Sequence, residues 1–124
     1  MKDFNFVILY VANAPASAEF YARLLGRSPV EASPGFAMFV TPSGLKLGLW
    51  ARDTVEPKVT AANGGCELAF PVADNSAVDQ IHVEWRERGL KVAQAPTDME
   101  FGRTFVALDP DGHRLRVFAP VAIG

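Results

Sequence analysis

One cysteine, Cys66, is the whole thiol supply of this sequence. It cannot close an internal disulfide, which fits a reducing compartment. Histidine is almost as scarce, with only His82 and His113 present. No charge of one sign dominates. Twelve Lys and Arg stand against fourteen Asp and Glu, interspersed, for a net charge of −2. A chain that neutralises phosphates needs a basic surplus, so the electrostatic motive for nucleic acid or an anionic membrane is missing. No run approaches the ~20 apolar residues that a membrane helix needs.

What is present is apolar and aromatic: 49% of the 124 residues are hydrophobic and nine are phenylalanine. Such a length makes one domain, or two small modules sharing a core, and needs no metal or disulfide staple. The run from Phe4 to Ala12, followed by Ala12-Asn13-Ala14, has some features of a cleaved leader. Asp3, directly after Lys2, and the interrupting Asn5 count against one. Phe4, Phe6, Ile8 and Tyr10 alternate with Val7, Leu9 and Val11, which reads as a two-sided strand. A cytoplasmic protein is expected.

In order, residues 4–11 read as a strand and Asn13 as a helix N-cap. Residues 17–25 form a helix with an apolar stripe of Phe20, Tyr21, Leu24 and Leu25, ended by Gly26. A short strand at Val30 comes before strands at 36–41 and 45–51, which are joined by Pro42-Ser43-Gly44. Residues 53–64, with Pro57 and Gly64, show no period and read as a linker or mobile loop. It divides modules of about 1–52 and 65–120.

The pattern then recurs. A strand at 67–72 and the cap cluster Asp74-Asn75-Ser76 precede a helix with Val78, Ile81, His82 and Trp85 on one face. Gly89 ends that helix. A short strand at 91–93 and a loop at 96–102 follow, then a hairpin of 104–108 and 115–118 around Asp109-Pro110-Asp111-Gly112. Each half reads β-α-β-β-β, an internal repeat of about half the chain, and the class is α+β.

Asn13, Phe20-Tyr21, Leu24-Leu25-Gly26 and Asp109-Pro110-Asp111-Gly112 together resemble the vicinal-oxygen-chelate superfamily. That group holds glyoxalase I, extradiol dioxygenases and the bleomycin-resistance proteins. The resemblance spans nearly the whole chain. It implies two βαβββ modules whose curled mixed sheet surrounds a cleft, and a homodimer with clefts shared between chains. A narrower likeness lies in Leu9-Tyr10-Val11, Gly48-Leu49-Trp50, Val78-Asp79, Glu84-Trp85, Phe101-Gly102-Arg103-Thr104-Phe105 and Arg116-Val117. These resemble the phenazine-antibiotic resistance branch, binders that sequester a planar aromatic drug.

Enzymes of the superfamily hold a divalent ion with four inward residues. Carried over one at a time, those positions fall on Phe6, Gly48, Glu67 and Arg116. Phenylalanine and glycine offer no side-chain donor, and arginine has no lone pair to give. Glu67 cannot hold an ion alone. A slip of one residue would turn Val7, Leu49, Leu68 and Leu115 inward instead. The resemblance therefore carries no metal or other cofactor to this chain. His82 and His113 read as solvated or core-edge residues.

The same phase places Trp50 with Gly48, Ile8 and Tyr10 with Phe6, and Phe118 with Arg116. The expected ligand-binding set in the first module is Phe6, Tyr10, Phe39, Gly48 and Trp50. In the second it is Glu67, Phe101, Arg103, Phe105 and Arg116. Gly48 would leave room for a flat ring. Arg116 would either meet a ligand carboxylate with two hydrogen bonds or neutralise Glu67, and Arg103 would either meet such a carboxylate or pin the loop at 97–102. Trp85 and Cys66 read as packing residues. The function expected is a metal-free, non-enzymatic binder of a planar aromatic antibiotic or metabolite. The alternative is a lyase-, isomerase- or dioxygenase-like enzyme of the same fold with Glu67 as general base. Its pKa would be raised by an apolar cleft and lowered by Arg116.

Overall fold

The two helices start where short polar side chains can cap them. Asn13 Oδ1 accepts the Ala16 N–H at 2.9 Å, and Asp74 Oδ1 accepts the Ala77 N–H at 2.8 Å. Around these caps the computed structural model, which describes residues 1, 3–62 and 65–121, folds into two compact units, Met1–Ala62 and Asn63–Gly124. Lys2, weighed in the leader reading, and residues 63 and 64 of the expected linker lie outside the described residues.

The first unit runs β1 (Phe6–Val11), α1 (Ala14–Leu25), β2 (Glu31–Ala32), β3 (Phe36–Val40) and β4 (Lys46–Ala51), then one 3-10 turn, Arg52–Thr54. The second runs β5 (Glu67–Pro71), α2 (Asn75–Glu87), β6 (Lys91–Met99), β7 (Gly102–Leu108) and β8 (Arg114–Pro120). The sheets have matching orders, β1-β4-β3-β2 and β5-β8-β7-β6. In each, the first strand pairs parallel with the last and the remaining pairs are antiparallel. The α+β class and the doubled β-α-β-β-β order are as expected. Among the described residues no helix is long and apolar enough to cross a membrane.

Helix α1 begins earlier than the aromatic stripe suggested. Pro15 falls in its first turn, where a missing N–H breaks no helical bond. Its buried side is Ala14, Ser17, Ala18 and Tyr21. Small residues there let the helix lie close to β3 and β4. Leu9, Val11, Ala37, Phe39, Leu47 and Leu49 make the sheet side of this core, all nearly or fully buried. In the second unit α2 packs on β6, β7 and β8. Trp85 stacks edge-on against Phe70 and Phe105, with centroids 6.1 and 5.5 Å away. His82 meets Phe105 at 5.3 Å, so it is a core-edge residue as read.

Two expectations change. The short strand at 91–93 continues through most of the loop expected after it as one strand, β6, which ends at Met99 and has register shifts between Val92 and Gln94 and between Gln94 and Thr97. Pro96 has no N–H for a ladder, and an edge strand with bulges tolerates it. His113 is 4% exposed and not solvated. Asp109 folds the β7–β8 turn by accepting the N–H groups of Asp111 and His113 at 2.9 and 2.8 Å, which draws His113 under it.

Candidate functional site

Strand pairing decides which residues share a face. In the first unit, rows across β1, β4 and β3 read Phe6–Lys46–Val40, Ile8–Gly48–Met38 and Tyr10–Trp50–Phe36. These rows lie on the face turned away from α1. Ile8 keeps 42% of its surface exposed, Tyr10 37% and Phe6 36%. Trp50, Phe36 and Met38 are half-buried beside them. A sheet face of this composition is an apolar surface that the unit itself does not cover. Tyr10 and Trp50 meet edge to face at 6.5 Å, and the Lys46 ammonium stands 5.8 Å from the centre of the Phe6 ring.

Gly48 was expected to leave a hole. A Cβ there would stand 2.8 Å from Phe6 Cε1 and 3.1 Å from Phe36 Cε1. The missing side chain is thus replaced by two benzyl rings leaning over the backbone. Phe6, Tyr10, Gly48 and Trp50 do share the open face. Phe39 does not: it pairs with Leu47, is fully buried, and faces α1. The residue in its expected role is Phe36, opposite Trp50.

In the second unit the corresponding rows are Glu67–Arg114–Leu108, Ala69–Arg116–Val106 and Pro71–Phe118–Thr104. Arg116 donates from Nε to Glu67 Oε2 at 2.8 Å and from Nη2 to Oε1 at 3.3 Å. Its Nη1 donates to Thr104 Oγ1 at 3.1 Å and Gln94 Oε1 at 3.4 Å. Thr104 is buried and passes its own hydrogen to the Val117 carbonyl at 2.9 Å. Phe101 caps this network, its ring 5.6 Å from the Arg116 guanidinium and 6.1 Å from Phe118. So Glu67, Phe101 and Arg116 share one face, and Thr104 and Gln94 belong with them although composition gave no sign of it.

Arg103 and Phe105 lie on the other side. Phe105 is fully buried against α2. Arg103 Nε donates to Asp79 of α2 at 2.8 Å and Nη1 to Asp98 of β6 at 2.9 Å. The hydrogen bonds to Asp79 and then Asp98 push its pKa further up, so it stays a cation tying helix to strand. Both arginines are engaged by acids of this chain, the second of the two roles weighed for each.

The four inherited chelating positions do not suit a divalent ion. Phe6 and Gly48 present ring edges and backbone, Arg116 is a cation, and both Glu67 oxygens are engaged by it. Among the described residues no three His, Cys, Asp or Glu side chains come together.

The chain has clear relatives. It is 28% identical over 116 residues to the phenazine antibiotic resistance protein EhpR of Enterobacter agglomerans, covering 91% of this chain and 88% of that one. A protein from Agrobacterium tumefaciens solved by NMR is 52% identical, with a TM-score of 0.91 over 98% of this chain and 100% of that one. A crystal structure from Nocardioides, a glyoxalase/bleomycin resistance protein/dioxygenase, is 26% identical, with a TM-score of 0.83 over 100% of this chain and 87% of that one. The family model for the Glyoxalase/Bleomycin resistance protein/Dioxygenase superfamily matches residues 3–117. With the doubled β-α-β-β-β fold and these relatives, the chain belongs to the glyoxalase/bleomycin resistance/dioxygenase superfamily.

Proposed function

We propose that this protein binds a planar aromatic antibiotic or metabolite and sequesters it without turnover. The observation that carries the reading is the open face of Met1–Ala62, where Phe6, Tyr10, Phe36 and Trp50 surround a glycine and two aliphatic side chains. Flat π-systems bind such surfaces by area and by stacking, at about 0.5–1.5 kcal/mol per ring pair beyond the area. Similarity to EhpR, named for phenazine resistance, supports the ligand class. Among the described residues of these rows, the side chains that can take or give a proton are the Tyr10 phenol, Lys46 and, on the edge strand, Glu31. Glu67, the candidate base, is held by two hydrogen bonds from Arg116, which suits an ion-pair partner better than a proton acceptor.

The reading carries a homodimer with it, and light scattering would then give about twice the 13.4 kDa chain mass. The test of binding is a phenazine titration followed by tryptophan emission. Quenching is expected, and Trp50→Ala is expected to weaken binding roughly tenfold by equilibrium dialysis. Unchanged emission with no phenazine retained would refute the proposal.

A further inference from the structure

Lys46 is a cation placed among rings. It lies on β4, between Phe6 of β1 and Val40 of β3, half-buried, its ammonium 5.8 Å from the Phe6 centroid. The ion pairs among the described residues join Arg23 to Glu19, Arg103 to Asp79 and Asp98, and Arg116 to Glu67, and none includes Lys46. The two arginines that could have read an anion are therefore committed, while this lysine is not. Among the paired strand residues of the same face, the other charge is Glu31 on the edge strand β2, opposite Met38. The face thus has a positive end by Phe6 and a negative edge beyond Met38.

We infer that Lys46 selects a planar aromatic anion, a ring system bearing a carboxylate, and fixes which way it lies. This rests on the sequestration reading above. A ring stacked on the Phe6 and Phe36 rings that cover Gly48 also covers the lysine stem and strips water from the ammonium. A neutral ligand offers at most an uncharged acceptor against that cost, whereas a carboxylate offsets it with a hydrogen bond between opposite charges. Repulsion from Glu31 disfavours the reversed orientation. Lys46 is a specificity-determining residue here.

Two probes of the same shape separate charge from stacking: phenazine-1-carboxylate and phenazine-1-carboxamide, titrated into the full chain. The parent is expected to bind the carboxylate about tenfold more tightly at low salt, an advantage that shrinks as salt is raised. Lys46→Gln is expected to erase the difference, chiefly by weakening the carboxylate, with an unchanged circular dichroism spectrum reporting that the variant is folded. Lys46→Arg is expected to retain the preference. Equal affinity of the parent for both probes, or a preference that survives in Lys46→Gln, would overturn the inference while leaving sequestration intact. Failure of the parent to bind either probe would overturn both.

Discussion

In Met1–Ala62 the central row of the open face is Ile8–Gly48–Met38, and none of its side chains holds a charge. In Asn63–Gly124 the same row is Ala69–Arg116–Val106, with the guanidinium tied to Glu67 from the row beside it. Phe6 stands where the second unit has Glu67, and Trp50 where it has Phe118. The helix-covered faces differ much less. Leu9, Phe39 and Leu49 on one side and Phe105, Leu115 and Val117 on the other are all nearly or fully buried. Burial under a helix constrains a residue to be apolar and of the right size. The opposite face of each unit carries no such constraint from its own helix, so one copy could become a set of rings and the other a closed polar network.

Substitutions can break or sharpen that comparison, and the largest effect is expected at a glycine. A Cβ on Gly102 would lie 1.9 Å from the Ala119 carbonyl oxygen, at a φ of +143°. Gly102→Ala should cost on the order of 3 kcal/mol or more, read as a fall in the urea midpoint. The turn glycine of the first unit, Gly44, has the positive φ but open space around it, so Gly44→Ala should cost only about 1 kcal/mol. Equal losses would contradict the close approach of β7 to β8.

Next in size is Glu67→Gln, which leaves the Arg116 side chain, 17% exposed, without its counter-charge. A loss of about 1–2 kcal/mol is expected, less than for a sealed pair because the Glu67 side chain is 35% exposed. The smallest effect on stability belongs to Gly48→Ala. Its Cβ displaces the partly exposed Phe6 ring, so stability should hold within about 1 kcal/mol while phenazine affinity falls roughly threefold. Unaltered affinity would mean that the rings over Gly48 do not form the stacking surface.

Much of the fold was legible because its signals are local. The alternation in Phe6–Val11 and the cap at Asn13 each act over a few residues. Of the open-face residues, Phe6 and Gly48 followed from the family resemblance, and period-two alternation then added Tyr10 and Trp50. Phe39, Phe105 and Arg103 were misplaced for one shared reason. Each hairpin fixes which residues stand opposite, Val40 to Lys46 and Leu108 to Arg114, so facing positions share parity. Counting back from either turn puts Phe36, Thr104 and Val106 on the open faces and sends those three to the helix side. That signal was in the sequence and needed only the turn register. The continuation of β6 through Pro96, and the rings folded over Gly48, depend on contacts distant in the chain, which no local pattern records.

The most direct measurement uses the two indoles as built-in reporters. Trp50 lies on the open face of the first unit, whereas Trp85 is packed against Phe70 and Phe105 in the second. In a two-dimensional NMR titration with phenazine, with the indole N–H signals assigned through Trp50→Phe, the Trp50 signal should move progressively and the Trp85 signal should stay. Movement of Trp85 alone, or of neither at saturating phenazine, would contradict the account.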